Sequence, residues 1–231
     1  MRLLKRLTFF AFAFLTTNLL AQTTIENDNL KFWQPEIKLI PQDFKADTSK
    51  AFNNLNRKFG VKAFPSIVLK SILDVPKKKR ERGKKLEKIF LVPCVEKFRS
   101  ISITEDSLEM AKQQLLFDIT ELYARKARKE FKYLEDSLGH VYGIYWSMYS
   151  TVIGNICVEK NEMIDAYMNE VILFPKDGAY EKWKKQIEFH LSETKEFATK
   201  PEDCLRFLNQ KPLTDDYIMS PNYAGEIKCK K

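Results

Sequence analysis

Three kinds of side chain in this 231-residue sequence have chemistry to offer: carboxylates at helical spacing, two histidines and four cysteines. Asp118 and Glu121 lie three apart in AKQQLLFDITELYARKARKEF, residues 111–131, a spacing that invites an acid–base reading. Arg125 follows Glu121 by four, so ion pairing on the helix surface explains the pattern better. A helical metal site needs two histidines at i and i+4 with a glutamate beside the first to activate water. His140 and His190 have no second histidine at that spacing, and both read as surface or internally satisfied residues. Cys94, Cys157, Cys204 and Cys229 contain no C-x-x-C pair, which argues against a cysteine zinc site. A Cys204–Cys229 bond would staple the C-terminal tail; four free or partly buried thiols are the alternative. There is no G-x-S-x-G elbow, no glycine-rich phosphate loop and no cysteine with a histidine partner.

The elements that position these residues divide into a strand-rich first half and a helical second half. Residues 22–34 are polar and read as loose chain. Residues 36–40 read as a short strand closed by Pro41, residues 61–75 as one or two strands, and residues 86–98 as another. Pro65 and Pro93 mark edge or bulge positions. The run PKKKRERGKK between the last two reads as a solvated hairpin loop with Gly83 at its turn. The competing reading is a basic patch for an anionic surface, formed by Lys77, Lys78, Lys79, Arg80, Lys84 and Lys85. No aromatic residue interleaves these charges, so base stacking is not served and no nucleic-acid partner is expected.

From Thr104, a good N-cap, a long helix is expected to Gly139. Leu108, Ala111, Leu115, Ile119 and Leu122, beside Leu116, Tyr123, Ala127 and Phe131, give it one broad apolar face. Arg125, Lys126, Arg128 and Lys129 fall mostly outside that face. A second helix is expected over residues 140–173. Its first half, 141–158, is uncharged but too rich in Gly, Ser, Thr and Asn for lipid, so it reads as a helix buried between partners. Its Tyr142, Tyr145, Trp146 and Tyr149 read as core. A third helix is expected over 177–197 and a short one over 202–208, with irregular chain after it.

Arg2, Lys5 and Arg6, the apolar run 7–15 and the small Ala21 before Gln22 have the form of a signal peptide cleaved after residue 21. Losing those three cations lowers the formal charge from +8 to +5, only mildly basic. The organisation expected is a signal peptide at 1–21, one domain at 22–200 and a tail at 201–231. An exported chain, periplasmic or secreted, permits disulfides.

The segment FDITELYARK, residues 117–126, is specific. It resembles a bacterial family of unknown function described as predicted secreted zinc-dependent proteases, whose helix reads H-E-Q-x-H-F-D-I and then carries a glutamate and A-R-K. The second half of that pattern is intact here. In the first half, Lys112 and Leu116 fall on the two histidines, Gln113 on the glutamate, and Gln114 keeps the glutamine. Downstream, Tyr167 and Glu170 keep two residues of a Y-D-x-E-T-x-H-G motif, and Trp183 keeps a tryptophan. The weaker matches IKLIPQDF and CVEKFRS extend the resemblance over residues 33–195.

The element pattern predicts an α+β fold, with a small, mostly antiparallel sheet on two long helices and a shorter third; the resemblance implies that this fold is zincin-like. It also implies that Lys112, Gln113, Leu116 and Glu170 mark a vestigial site from which zinc ligands and base have gone, so no cofactor is expected. A Lys112–Glu170 salt bridge in place of the metal is one expectation; Lys112 reaching solvent is the other. The function expected is that of a catalytically inactive zinc-peptidase-like module with a binding or structural role in the cell envelope. The alternatives are an active hydrolase with an unrecognised site and an anionic-surface binder using the basic loop.

Overall fold

The computed structural model describes residues 25–82, 84–139 and 143–229. The segment read as a signal peptide, Gly83, His140 and Tyr142 lie outside the described residues. The fold is α+β, with a four-stranded antiparallel sheet in the order β1-β4-β3-β6. Its strands are β1 (Leu30–Phe32), β3 (Ile67–Pro76), β4 (Lys88–Glu96) and β6 (Tyr217–Glu226). A second, two-stranded ribbon pairs β2 (Ala63–Phe64) with β5 (Ile101–Ser102). The helices are α1 (Lys50–Phe59), α2 (Ser107–Leu138), α3 (Ile144–Tyr167), α4 (Ala179–Glu193) and α5 (Pro201–Asn209).

Alternation along β3 and β4 sends side chains to two cores, as the two-residue period requires. Leu73, Val75 and Leu91 face the large core with α2, α3 and α4. Val68, Ile72, Phe90, Val92 and Cys94 face the other side, where Cys204 and Phe207 of α5 cover them. A third cluster seats Trp33, Leu39 and Phe44 against Met110 and Phe117 of α2. The α5 helix is anchored by Arg206, whose Nε and Nη2 donate to the two oxygens of buried Asp74 at 2.8 and 2.7 Å.

Pro93 fits β4 because of where β1 ends. It is opposite Leu69 of β3, its carbonyl accepts from Trp33 N–H at 3.1 Å, and its missing N–H faces the side beyond the last β1 residue.

Several expectations are corrected. Residues 36–40 form no strand: Leu39 is buried and its N–H donates to Gln114 Oε1 at 2.8 Å, so the backbone there serves α2. The strand beside β4 is β1, inside the stretch read as loose chain, with Phe32 fully buried. Helix α1 was not foreseen; its apolar stripe is short, with Phe52 buried and Leu55 and Phe59 packed against the main core, and Ser49 and left-handed Gly60 define its ends. The N-cap of α2 is Asp106, which accepts from Leu108 and Glu109 N–H, while Thr104 accepts from Asp106 one step earlier. Helix α3 is buried on one side only: Trp146, Ser147, Ser150, Thr151, Gly154, Asn155 and Val158 are exposed. The chain after α5 is not irregular, since β6 pairs with β3 and completes the sheet. Among the described residues, no helix is long and apolar enough to cross a membrane.

Candidate functional site

The first turns of α2 hold the positions singled out by the resemblance, and each side chain has another task. Lys112 Nζ pairs with Glu109 one turn earlier at 2.7 Å, and its carbonyl accepts from the Tyr167 hydroxyl at 2.8 Å. Gln113 is buried, with its Nε2 unpartnered, and Leu116 is buried in the main core. Glu170 lies in a π-helical turn, Met168–Leu173, that continues α3. That turn directs its carboxylate to Lys176 Nζ at 2.8 Å and Trp183 Nε1 at 2.9 Å. Donation by Lys176, then by Trp183, holds the Glu170 carboxyl below its ordinary range. The expected Lys112–Glu170 bridge is therefore not formed: Lys112 pairs with Glu109 one turn earlier, and Glu170 with Lys176 in the connection before α4.

These residues do not fit zinc. An ammonium, an amide and an alkyl side chain occupy the three helical positions, and the one carboxylate is turned to a cation and an indole. Among the described residues, no group of three or more His, Cys, Asp or Glu side chains could hold a metal ion. His190 is half-buried on α4, with its ring against Phe189.

The side chains of residues 117–126 serve as framework. Asp118 accepts from Trp33 Nε1 and from Gln114 Nε2, both at 2.8 Å, so it fastens the N-terminal segment onto α2. Burial pushes its carboxyl above the ordinary value against those two donors. Glu121 is fully buried and accepts from Arg125 Nε at 2.8 Å, Thr199 N–H at 2.8 Å and Thr199 Oγ1 at 2.6 Å. The Glu121–Arg125 pair thus exists, but inside the protein and not on the helix surface. Arg125 also donates to the Leu191 carbonyl at 2.6 Å and lies 5.0 Å over the Trp33 ring. Arg128, expected outside the apolar face, turns inward to the carbonyls of Leu91 and Phe197.

Two clefts flank the first half of α2. One, of about 590 Å³, lies between the 38–41 segment and α4 and is lined by Gln114, Asp118 and Tyr180. The other, of about 490 Å³ and mostly apolar, lies between the β2–β3 corner and the end of α3, with Phe64, Leu116, Ile164 and Leu173 on its walls. The sequence reading missed this second cleft; its only local sign was the apolar Leu116 at a position the resemblance assigns to histidine.

The basic loop joins β3 to β4 as a hairpin. Part of its charge is met internally: Lys85 contacts Asp216 at 2.7 Å and Glu81 at 3.3 Å, and Lys78 contacts Glu81 at 3.8 Å. Tyr145 and Tyr149 point inward, with hydroxyls 2.5 Å from Glu135 and Ser71, whereas Trp146 is exposed. The disulfide joins Cys157 of α3 to Cys229, with Cα atoms 5.3 Å apart; Cys94 and Cys204 are free and buried. The expected Cys204–Cys229 bond is excluded because Cys204 is packed with Cys94 under α5, on the other face of the sheet.

The chain matches no family model, no curated protein and no solved structure.

Proposed function

We propose that this chain is a non-catalytic binding module, exported from the cytoplasm, on a scaffold related to zincin-like peptidases. The observation that carries this reading is the use made of the α2 side chains. Lys112 is committed to Glu109, Leu116 to the core, Asp118 to Trp33 and Gln114, and Glu121 to Arg125 and Thr199. A helix that serves catalysis needs polar groups directed at a substrate in matched protonation states. Here the polar groups bind other parts of the same chain, while the adjoining cleft is apolar and open.

The competing hydrolase reading would rest on Asp118, a half-buried carboxyl beside the first cleft. Its two donors hold it in place, and no nucleophile or second acid is bonded to it. The test is a metal analysis of the purified protein together with cleavage of an unstructured protein substrate. The module reading predicts neither stoichiometric zinc nor turnover; chelator-sensitive cleavage would overturn it.

A further inference from the structure

Among the described residues, the edge of the sheet beside the apolar cleft is unpaired over a short length. β6 follows β3 as far as Glu226, opposite Lys70, and Ile227 N–H adds one bond to the Leu69 carbonyl at 2.8 Å. The chain then reaches Cys229, joined to Cys157 of α3. Backbone groups of an antiparallel strand alternate between its two neighbours. Glu96 N–H donates to the Ser66 carbonyl at 2.9 Å, so the N–H and C=O of Ile67 face away from β4. They point past the last residue that β6 supplies.

A polar cavity of about 490 Å³ lies at this edge, between Ile67–Leu69, Lys160 of α3 and the chain at 226–229. It adjoins the apolar cleft, since Ile67, Val68, Arg99 and Glu226 line both. Half-buried Lys160 has no hydrogen-bond or ion-pair partner among the described residues; burial holds its ammonium below its ordinary value, and the charge of Glu226 on the same wall offsets this only in part. A desolvated, unpaired cation is unfavourable and is relieved by an anion. Arg99 and Lys228 add positive charge to the cavity wall, and Glu226 is the one carboxylate on it. Arg99 is paired with Glu96 at 2.8 Å.

The open edge offers one N–H and one C=O, and the chain at 226–229 closes its far end. A continuing strand is not accommodated, but a chain terminus is. We propose that this edge binds the C-terminal end of an extended peptide. The peptide backbone pairs with Ile67, an apolar side chain enters the cleft at Leu116 and Leu173, and the terminal carboxylate meets Lys160. This is strand addition to a sheet edge combined with carboxylate capture, and it rests on the reading of the chain as a binding module.

The experiment uses the full mature chain and acetylated tetrapeptides ending in Val, Leu or Phe, each as free acid and as C-terminal amide. Binding is followed by calorimetry and by the Ile67 amide resonance. At least one free acid is expected to bind at least about tenfold more tightly than its amide and to shift Ile67. Lys160→Met, which removes a half-buried charge and keeps an apolar stem, should abolish that preference with an unchanged circular dichroism spectrum. Equal binding of acid and amide, or no binding of either at about 1 mM, overturns the proposal and leaves the module reading standing. Displacement by inorganic phosphate without any Ile67 shift would reassign the cavity to free anions and likewise overturn it. Zinc-dependent cleavage of the peptides would instead overturn the module reading.

Discussion

Glu121 and Asp118 differ by three positions on one helix and answer to different environments. Glu121 is a buried carboxylate with three short hydrogen bonds, so removing it leaves Arg125 in the interior without its counter-charge. Glu121→Ala should destabilise the protein by about 3–5 kcal/mol, measured by urea unfolding; a loss within the range of surface substitutions would contradict the hub role. Asp118 is half-buried with a raised carboxyl. It favours the folded state most fully below about 3.9, the unfolded value, and that contribution is lost as pH rises through the raised folded value. Asp118→Asn stays neutral and keeps an acceptor for Trp33. The stability of wild type relative to this variant should therefore fall between pH 4 and pH 7, and an equal difference at both pH values would refute the assignment. The two free thiols are both pushed up by burial, Cys204 to about 12. Iodoacetamide should leave them unmodified in the folded protein and alkylate both after unfolding, as read by mass spectrometry.

Among the elements, α2 is the organiser. Its inward side chains hold the N-terminal segment through Gln114 and Asp118, the end of α4 through Arg125, and the chain before α5 through Glu121 and Arg128. The helix itself was legible, because i, i+3 and i+4 apolar spacing is a local signal. The inward destination of Glu121 and Arg125 was not, because a buried pair and a surface pair have the same spacing. The disulfide anchors the end of β6 to α3 across a separation of 72 residues. Cys157→Ser should lower stability by about 4 kcal/mol on the loop-entropy account, seen as a fall in Tm that reductant reproduces in the wild type. No change with reductant would mean that the bond does not form.

For the molecule as a whole, the C-terminal stretch decides whether the sheet is complete. It supplies α5, which covers one face, Arg206, which pairs with Asp74, and β6, which pairs with β3. Truncation after Gln210 removes β6 and the disulfide and exposes the β3 edge. The shortened chain should lose cooperative thermal unfolding by circular dichroism; an unchanged Tm would show the stretch to be an appendage.

The sequence by itself determined the elements whose causes are local: the amphipathic α2, the β3–β4 hairpin about its basic loop, and the proline-led start of α5. It also placed Lys112, Gln113 and Leu116 on a helix and made them poor metal ligands, since that follows from residue type alone. The tertiary structure decided every relation between distant segments. Thr199 reaches Glu121 from 78 positions away, Arg206 reaches Asp74 from 132, and Cys229 pairs with Cys157 and not Cys204. Burial and partnership depend on which surfaces meet, and short-range periodicity does not encode that. The same cause hid the open edge at Ile67 and the unpaired Lys160, which arise where β6 ends and α3 passes.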